Sequence, residues 1–130
     1  LVLERAVERL FSPMGLVVKL DEGDTFQALT VGAASGTGFV FELMIYWQEW
    51  LEEHGIESDM AREITLKTFL GAAKLADQSP LSFEELQAKV TSKKGVTFAG
   101  LDSMRELEVE RMLRYSFEKA VIRDKELSSK

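Results

Sequence analysis

Residues 39–51, "FVFELMIYWQEWL", constrain this chain more than any other stretch. Phe39, Val40, Phe41, Leu43, Met44, Ile45, Tyr46 and Trp47 place apolar side chains nearly all the way round a helix. Such a helix must be buried on every side or lie in a bilayer. The run is short for a membrane span, and Glu42, Gln48 and Glu49 interrupt it. A chain of 130 residues can hardly surround one of its own helices. The pattern therefore predicts a helix buried between subunits, ending at Gly55 in the position of a C′ cap.

The remaining segments predict more helices. "VLERAVERLF", residues 2–11, sets Leu3, Val7, Leu10 and Phe11 on one face, and Ser12-Pro13-Met14-Gly15 breaks it. "DTFQALT" reads as a short helical turn, followed by the small-residue run "VGAASGTG". Residues 58–78 predict a helix capped by Ser58 or Asp59, with Met60, Ile64, Phe69 and Leu75 inward. Its Gly71-Ala72-Ala73 patch permits a close helix crossing. Ser82 and Glu85 have capping-box spacing, Thr97 reads as the N-cap of "FAGLDSMREL", and Val109, Leu113, Phe117 and Val121 stripe a last helix over 107–127. "LVVKL", residues 16–20, is the one β-like run, and a lone strand must pair with something outside this chain or with a second copy. The expected class is all-α, a helical bundle with a stray N-terminal strand.

Composition narrows the chemistry. A net charge of −6 argues against a nucleic-acid partner. The absence of cysteine excludes disulfides and thiolate chemistry, and a single histidine, His54, disfavours a histidine-built metal site. No basic region leads into an apolar run and cleavage site, so a cytoplasmic location is expected. The first residues, Leu-Val-Leu-Glu, lack a methionine and suggest a piece of a longer protein. His54 reads as an exposed helix-end residue, the Glu110/Arg114 spacing as a solvated pair, and Trp47 and Trp50 as core.

Five segments, "SGTGFVF", "GIESDMA", "LGAAKLA", "VTSKKGVTFAGL" and "IRDKEL", occur in an order and spacing that resemble the C-terminal half of pyrroline-5-carboxylate reductases. The family's own segments read approximately S-G-S-G-P-A-Y, G-L-P, L-G-A-A-K, V-T-S-P-G-G-T-T-x-A-G-L and R-x-x-E-L. The pattern runs without a gap over residues 70–127, with two extra residues between Thr30 and Ser35. The resemblance implies an interlocked dimer of helical domains similar to the C-terminal domain of 6-phosphogluconate dehydrogenase. Residues 1–22 would then be the last helix and strand of a preceding Rossmann domain, and 23–130 the helical dimerisation and substrate-side domain. It further implies NADP or NAD in the complete protein; no G-x-G-x-x-G follows a strand here, so no cofactor-binding residue is expected in this chain.

The resemblance places substrate contacts in residues 90–97. Ser92 and Thr97 would hold the carboxylate of a cyclic imino acid through hydroxyls, and Gly95 and Val96 through backbone N–H groups, a chemistry suited to a helix N-terminus. Ser35, Gly36, Thr37 and Gly38 would form a second substrate-side loop. No catalytic residue and no metal ligand is implied in this chain. Each position has a plainer reading: Ser92 and Thr97 as helix caps, Lys93-Lys94 as a solvated turn, and 35–38 as a close-packing segment. Lys93-Lys94 replace the family's Pro-Gly, Phe41 replaces its tyrosine, and Leu107-Glu108 replace Gly-Gly, which should make that junction more helical. Two functions stay open. One is the dimerisation domain of a reductase making L-proline from 1-pyrroline-5-carboxylate; the other is a divergent, non-catalytic dimerisation or regulatory module. Both expect a homodimer, with larger assemblies open, and neither expects a membrane.

Overall fold

The computed structural model describes residues 1–21 and 23–129; the expected domain boundary at residue 22 lies outside them. Seven α-helices follow one another among the described residues: α1 (Val2–Phe11), α2 (Asp24–Leu29), α3 (Gly36–Glu53), α4 (Ser58–Asp77), α5 (Phe83–Lys89), α6 (Val96–Glu106) and α7 (Val109–Ser128). A 3₁₀ turn (Ser12–Met14) follows α1, and a π-helical segment (Thr30–Ser35) joins α2 to α3. The all-α class is as expected.

The β-like run does not form a strand: residues 16–20 carry no regular structure, and no strand occurs among the described residues. A strand exists only through pairing with another, and no second β-like run is present to pair with it. The segment instead lies along α1, where Lys19 Nζ donates to Glu4 Oε1 at 2.7 Å. This ion pair holds the Glu4 carboxyl below the usual carboxylate range and the Lys19 ammonium above its usual one.

The small-residue run forms no loop. Helix continues from Asp24 to Glu53, 30 residues, or about 45 Å at an α-helical rise. The π segment falls between Thr30 and Ser35, where two extra residues were inferred. A π turn closes i→i+5 rather than i→i+4 bonds and so accommodates additional residues without breaking the rod. The continuity also removes the length argument against a membrane span, since by length and composition this helix could cross a bilayer.

Helix α3 ends as its sequence predicts. Gly55 takes φ 87°, the Gly55 N–H reaches Glu52 O at 3.0 Å, and the Ile56 N–H reaches Leu51 O at 3.1 Å. These two bonds make a Schellman stop, with the left-handed residue at C′. The chain then folds back, and α4 packs on α3. The contact is made by small side chains: Ala61 is fully buried and Thr65 nearly so. Thr65 satisfies its hydroxyl by donating to Ala61 O at 2.8 Å. Trp47 meets the Phe69 ring edge-on, with centroids 5.4 Å apart. Of the residues expected inward on α4, Phe69 is half-buried, but Met60, Ile64 and Leu75 are exposed. Small residues let the two axes approach, and the larger side chains are left on other faces. Gly71-Ala72-Ala73 make no helix crossing within the chain either; they floor an open groove.

The capping box of α5 is complete: the Glu85 N–H donates to Ser82 Oγ at 3.2 Å and the Ser82 N–H to Glu85 Oε2 at 2.8 Å. Ser58 is the first residue of α4 rather than its cap; its hydroxyl donates to Glu52 Oε1 at 2.7 Å across the turn. Helix α7 packs on α2, the π segment and α6. Phe117 lies against Phe39 with ring centroids 5.3 Å apart, and Lys125 Nζ donates to Asp24 Oδ1 at 2.7 Å. The Leu107-Glu108 junction does not become helical. Glu108 sits at φ 52°, ψ 42°, the left-handed conformation that glycine adopts without strain.

Almost nothing in this arrangement is a core. Val31, Ala61 and Thr65 are the buried residues among those described. A compact monomer of 14.6 kDa exposes roughly 6,900 Å², whereas this chain exposes 11192 Å². The surplus, roughly 4,300 Å², includes the outer face of α3, with Phe41, Ile45, Tyr46 and Trp50 each about half exposed.

Candidate functional site: the turn before α6

The turn at 92–95 begins with the end of α5. Gln87 fastens it: its carbonyl accepts the Thr91 hydroxyl at 2.6 Å, and its Oε1 accepts Arg105 Nη2 of α6 at 3.3 Å. The chain then reverses through Ser92-Lys93-Lys94-Gly95, closed by the Gly95 N–H donating to Ser92 O at 3.0 Å. Lys94, third in the turn, takes φ 58°. A type II turn requires a positive φ at its third position, which is why Pro-Gly suits its centre. The lysine pair has therefore kept the backbone that Pro-Gly would favour, with Lys94 held in a conformation disfavoured for a residue with a Cβ.

Gly95 is the N-cap of α6, at φ −83° and ψ −179°. Thr97 is the second residue of the helix and makes no capping bond, which corrects its assignment as the cap. With Gly95 at the cap there is no side chain to accept the first amides of α6. The N–H groups of Val96 and Thr97 are thus free of side-chain caps at the positive end of the helix. Ser92 Oγ lies over Gly95 so closely that a Cβ there would collide with it. The structure accordingly brings Ser92, Gly95, Val96 and Thr97 together at one exposed helix start. A carboxylate is the chemistry such amides and hydroxyls receive best.

Ser35, Gly36, Thr37 and Gly38 do not join them. Ser35 ends the π segment and Gly36–Gly38 are the first turn of α3. This region packs on α7, and no helix pairing sets it against the 92–97 turn. The run also fails as a dinucleotide cradle. Its residues are in continuous helix, so it offers no glycine-rich turn from strand to helix for a pyrophosphate.

The other singled-out residues take structural positions. His54 is exposed at the end of α3; its Nδ1 lies 2.7 Å from Trp50 O, so that nitrogen carries the proton. Glu110 and Arg114 pair at 2.7 Å on the surface. Trp47 contacts Phe69, whereas Trp50 is mostly exposed and stacks on His54. One polar pair went unread in the sequence: Tyr46 donates to the Glu42 carboxylate, which pushes its phenol above the usual range. Their i,i+4 spacing was the available signal.

Comparison with known proteins gives this geometry a context. Residues 23–127 match the family model described as pyrroline-5-carboxylate reductase dimerisation. A pyrroline-5-carboxylate reductase of Staphylococcus haemolyticus is 30% identical over 122 residues, which are 94% of this chain and 45% of that protein. The solved structure of a pyrroline-5-carboxylate reductase from Coxiella burnetii superposes with a TM-score of 0.89 at 27% identity, covering 95% of this chain and 46% of that one. The Plasmodium falciparum pyrroline carboxylate reductase, solved with NADP bound, shares the fold at a TM-score of 0.82 and 18% identity, covering 92% of this chain and 45% of that one. The chain thus spans somewhat under half the length of the relatives it matches. On the match over 23–127, it belongs to the pyrroline-5-carboxylate reductase dimerisation family.

Proposed function

We propose that this chain is the dimerisation and substrate-side part of an oxidoreductase that, in its complete form, reduces 1-pyrroline-5-carboxylate to L-proline with NADP or NAD in the cytoplasm. The observation that carries the reading is the turn before α6. Lys94 adopts φ 58° where glycine would be unstrained, and the result is an exposed helix start with Ser92 Oγ beside it. In this reading the Val96 N–H is offered to the substrate carboxylate and Ser92 and Thr97 add hydroxyls, whereas the Gly95 N–H, expected to do the same, is spent closing the turn onto Ser92 O at 3.0 Å. Their task is to orient the imine; the cofactor supplies the hydride. Residues 1–22 belong to a preceding dinucleotide-binding domain, and Ser35–Gly38 lie towards the substrate of a neighbouring protomer.

The chain works as a homodimer on this reading, and the surplus accessible surface supports that. It far exceeds the roughly 800 Å² per partner of a standard interface and also the roughly 1,000–2,500 Å² per partner common in obligate ones. Protein rather than lipid covers α3, because Glu42 and Glu49 fall within its apolar stretch and bilayer burial of carboxylates is costly.

A second reading has two specific observations in its favour. Phe41 lacks the hydroxyl expected at its position, and two exposed ammonium groups stand at the turn, as in a dimerisation module that has left proline synthesis. The test is pyrroline-5-carboxylate-dependent oxidation of NADPH or NADH by the complete protein. Turnover that loses affinity for the imino acid in Ser92→Ala, with little change in kcat, supports the reductase. No turnover by a folded dimer with either cofactor refutes it in favour of the second reading.

A further inference from the structure

We infer that Lys93 and Lys94 are specificity-determining residues of the site before α6: their ammonium groups draw the substrate carboxylate to the open amides and lower KM without entering the chemistry. This deepens the reductase reading above and rests on it. Charge is the first support. Residues 86–101 are the longest stretch of the chain with basic residues and no acidic one, and they carry Lys89, Lys93 and Lys94 in a protein of net charge −6. All three lysines are exposed. None makes an ion pair among the described residues, whereas Lys19 and Lys125 do. An unpaired ammonium keeps its field for a ligand, and a local cluster of one sign raises the concentration of counter-charged ligands around it. The chain therefore gathers positive charge around Ser92, Val96 and Thr97, against an acidic background that disfavours carboxylates elsewhere.

Place is the second support. Lys93 and Lys94 are the central residues of the turn that the Gly95 N–H closes onto Ser92 O, and Gly95 then caps α6. Consecutive Cα atoms are about 3.8 Å apart, so Lys94 stands within about 8 Å of Val96. That is inside the Debye length of about 10 Å at 0.1 M salt. The positive end of α6 points the same way, so the ammonium groups and the helix act on a carboxylate with one sign. In a water-like dielectric, a unit charge at about 8 Å favours its counter-charge about twofold at 10 mM salt and about 1.5-fold at 100 mM. The two lysines together should favour the carboxylate about fourfold and about twofold under those conditions.

The test is steady-state kinetics of the complete protein at saturating cofactor, with the imino acid varied at several salt concentrations. Lys93→Gln with Lys94→Gln removes both charges while keeping a Cβ at each position, so the strain at Lys94, φ 58°, is unchanged. Arg62→Gln with Lys67→Gln removes the same charge from exposed positions of α4 as the control. The turn variant should raise KM about fourfold at 10 mM salt and about twofold at 100 mM, and should match the unsubstituted protein near 1 M, where the Debye length is about 3 Å. Its kcat should not change, and the control should keep the KM of the unsubstituted protein. A turn variant with unaltered KM and salt dependence overturns the inference alone, leaving the reductase standing and the lysines a solvated turn. An equal rise in the control also overturns it, because net charge would then be the cause. A rise that persists at 1 M overturns it as well, since screening would have removed an electrostatic effect. No turnover by the unsubstituted protein overturns the reductase reading and this inference together.

Discussion

Helix α6 is bracketed by two residues in the left-handed conformation, Lys94 at φ 58° and Glu108 at φ 52°. Replacing Lys94 by glycine should stabilise the protein, and the magnitude follows from opposing effects. A residue with a Cβ in this conformation is strained by about 1–2 kcal/mol. Glycine adopts it freely but gives the unfolded chain extra freedom, which offsets about 0.4–1 kcal/mol. Lys94→Gly should therefore gain about 0.5–1 kcal/mol, or about 2–4 °C in Tm for a domain of this length. Glu108→Gly should gain less, because it also removes the exposed Glu108–Arg111 pair at 3.1 Å, worth about 0.2–0.5 kcal/mol. The two sites are separated by the 11-residue α6, about 16 Å of helix, so the effects should add in the double variant. The assay is urea unfolding at fixed protomer concentration, since dimerisation contributes to apparent stability. The expected result is a raised midpoint with an unchanged slope. Lys94→Ala is the control, because alanine keeps the Cβ and should gain little. A Lys94→Gly variant no more stable than Lys94→Ala refutes the strain argument.

Three more outcomes follow from the packing and the charges. Gly95→Ala should weaken imino acid binding by displacing the Ser92 hydroxyl that overlies Gly95, and Gly95→Ala with Ser92→Ala should recover the lost stability without the affinity; a silent single variant would refute the contact. Ala61→Leu, at a fully buried position between α3 and α4, should destabilise by about 1–3 kcal/mol through overpacking, read as a lower urea midpoint. Acidification should loosen the start of α2 from the end of α7, because the hydrogen bond from Lys125 holds the Asp24 carboxyl below its ordinary value. The contribution of a depressed carboxyl is present above its unfolded pKa and fades as pH falls through the lower folded one. Asp24→Asn should thus flatten the acid limb of thermal stability, and an identical limb in the variant would count against the tie.

Local devices were legible in the sequence because neighbouring residues decide them. The capping box at Ser82 and Glu85, the stop at Gly55 and the stripe of Val109, Leu113, Phe117 and Val121 depend on spacings of three or four residues. The need for a partner was legible too: a helix apolar on all sides cannot be covered by so short a chain. The four residues of the 92–97 segment were located by resemblance, and the structure puts Gly95 at the N-cap of α6 with Val96 and Thr97 as its first residues. Thr97 was misread as the cap because hydroxyls usually outrank glycine there; at this turn the backbone geometry at Gly95 decided.

What only the tertiary structure decided was where segments meet and what conformation they then hold. The run at 16–20 has strand propensity but no partner to pair with, so propensity alone did not make a strand. The stretch at 35–38 read as a loop, yet it is helical, in a segment where α2 and the π turn pack on α7. The choice of Ala61 and Thr65 over Met60, Ile64 and Leu75 for the α3–α4 contact came from how closely two axes can approach. Lys93-Lys94 read as a solvated turn and Leu107-Glu108 as a more helical junction, and the fold placed both Lys94 and Glu108 at positive φ. Helix and cap signals act over a single turn and are written in the chain; burial, strain and register depend on elements distant in sequence, and are settled only when those elements come together.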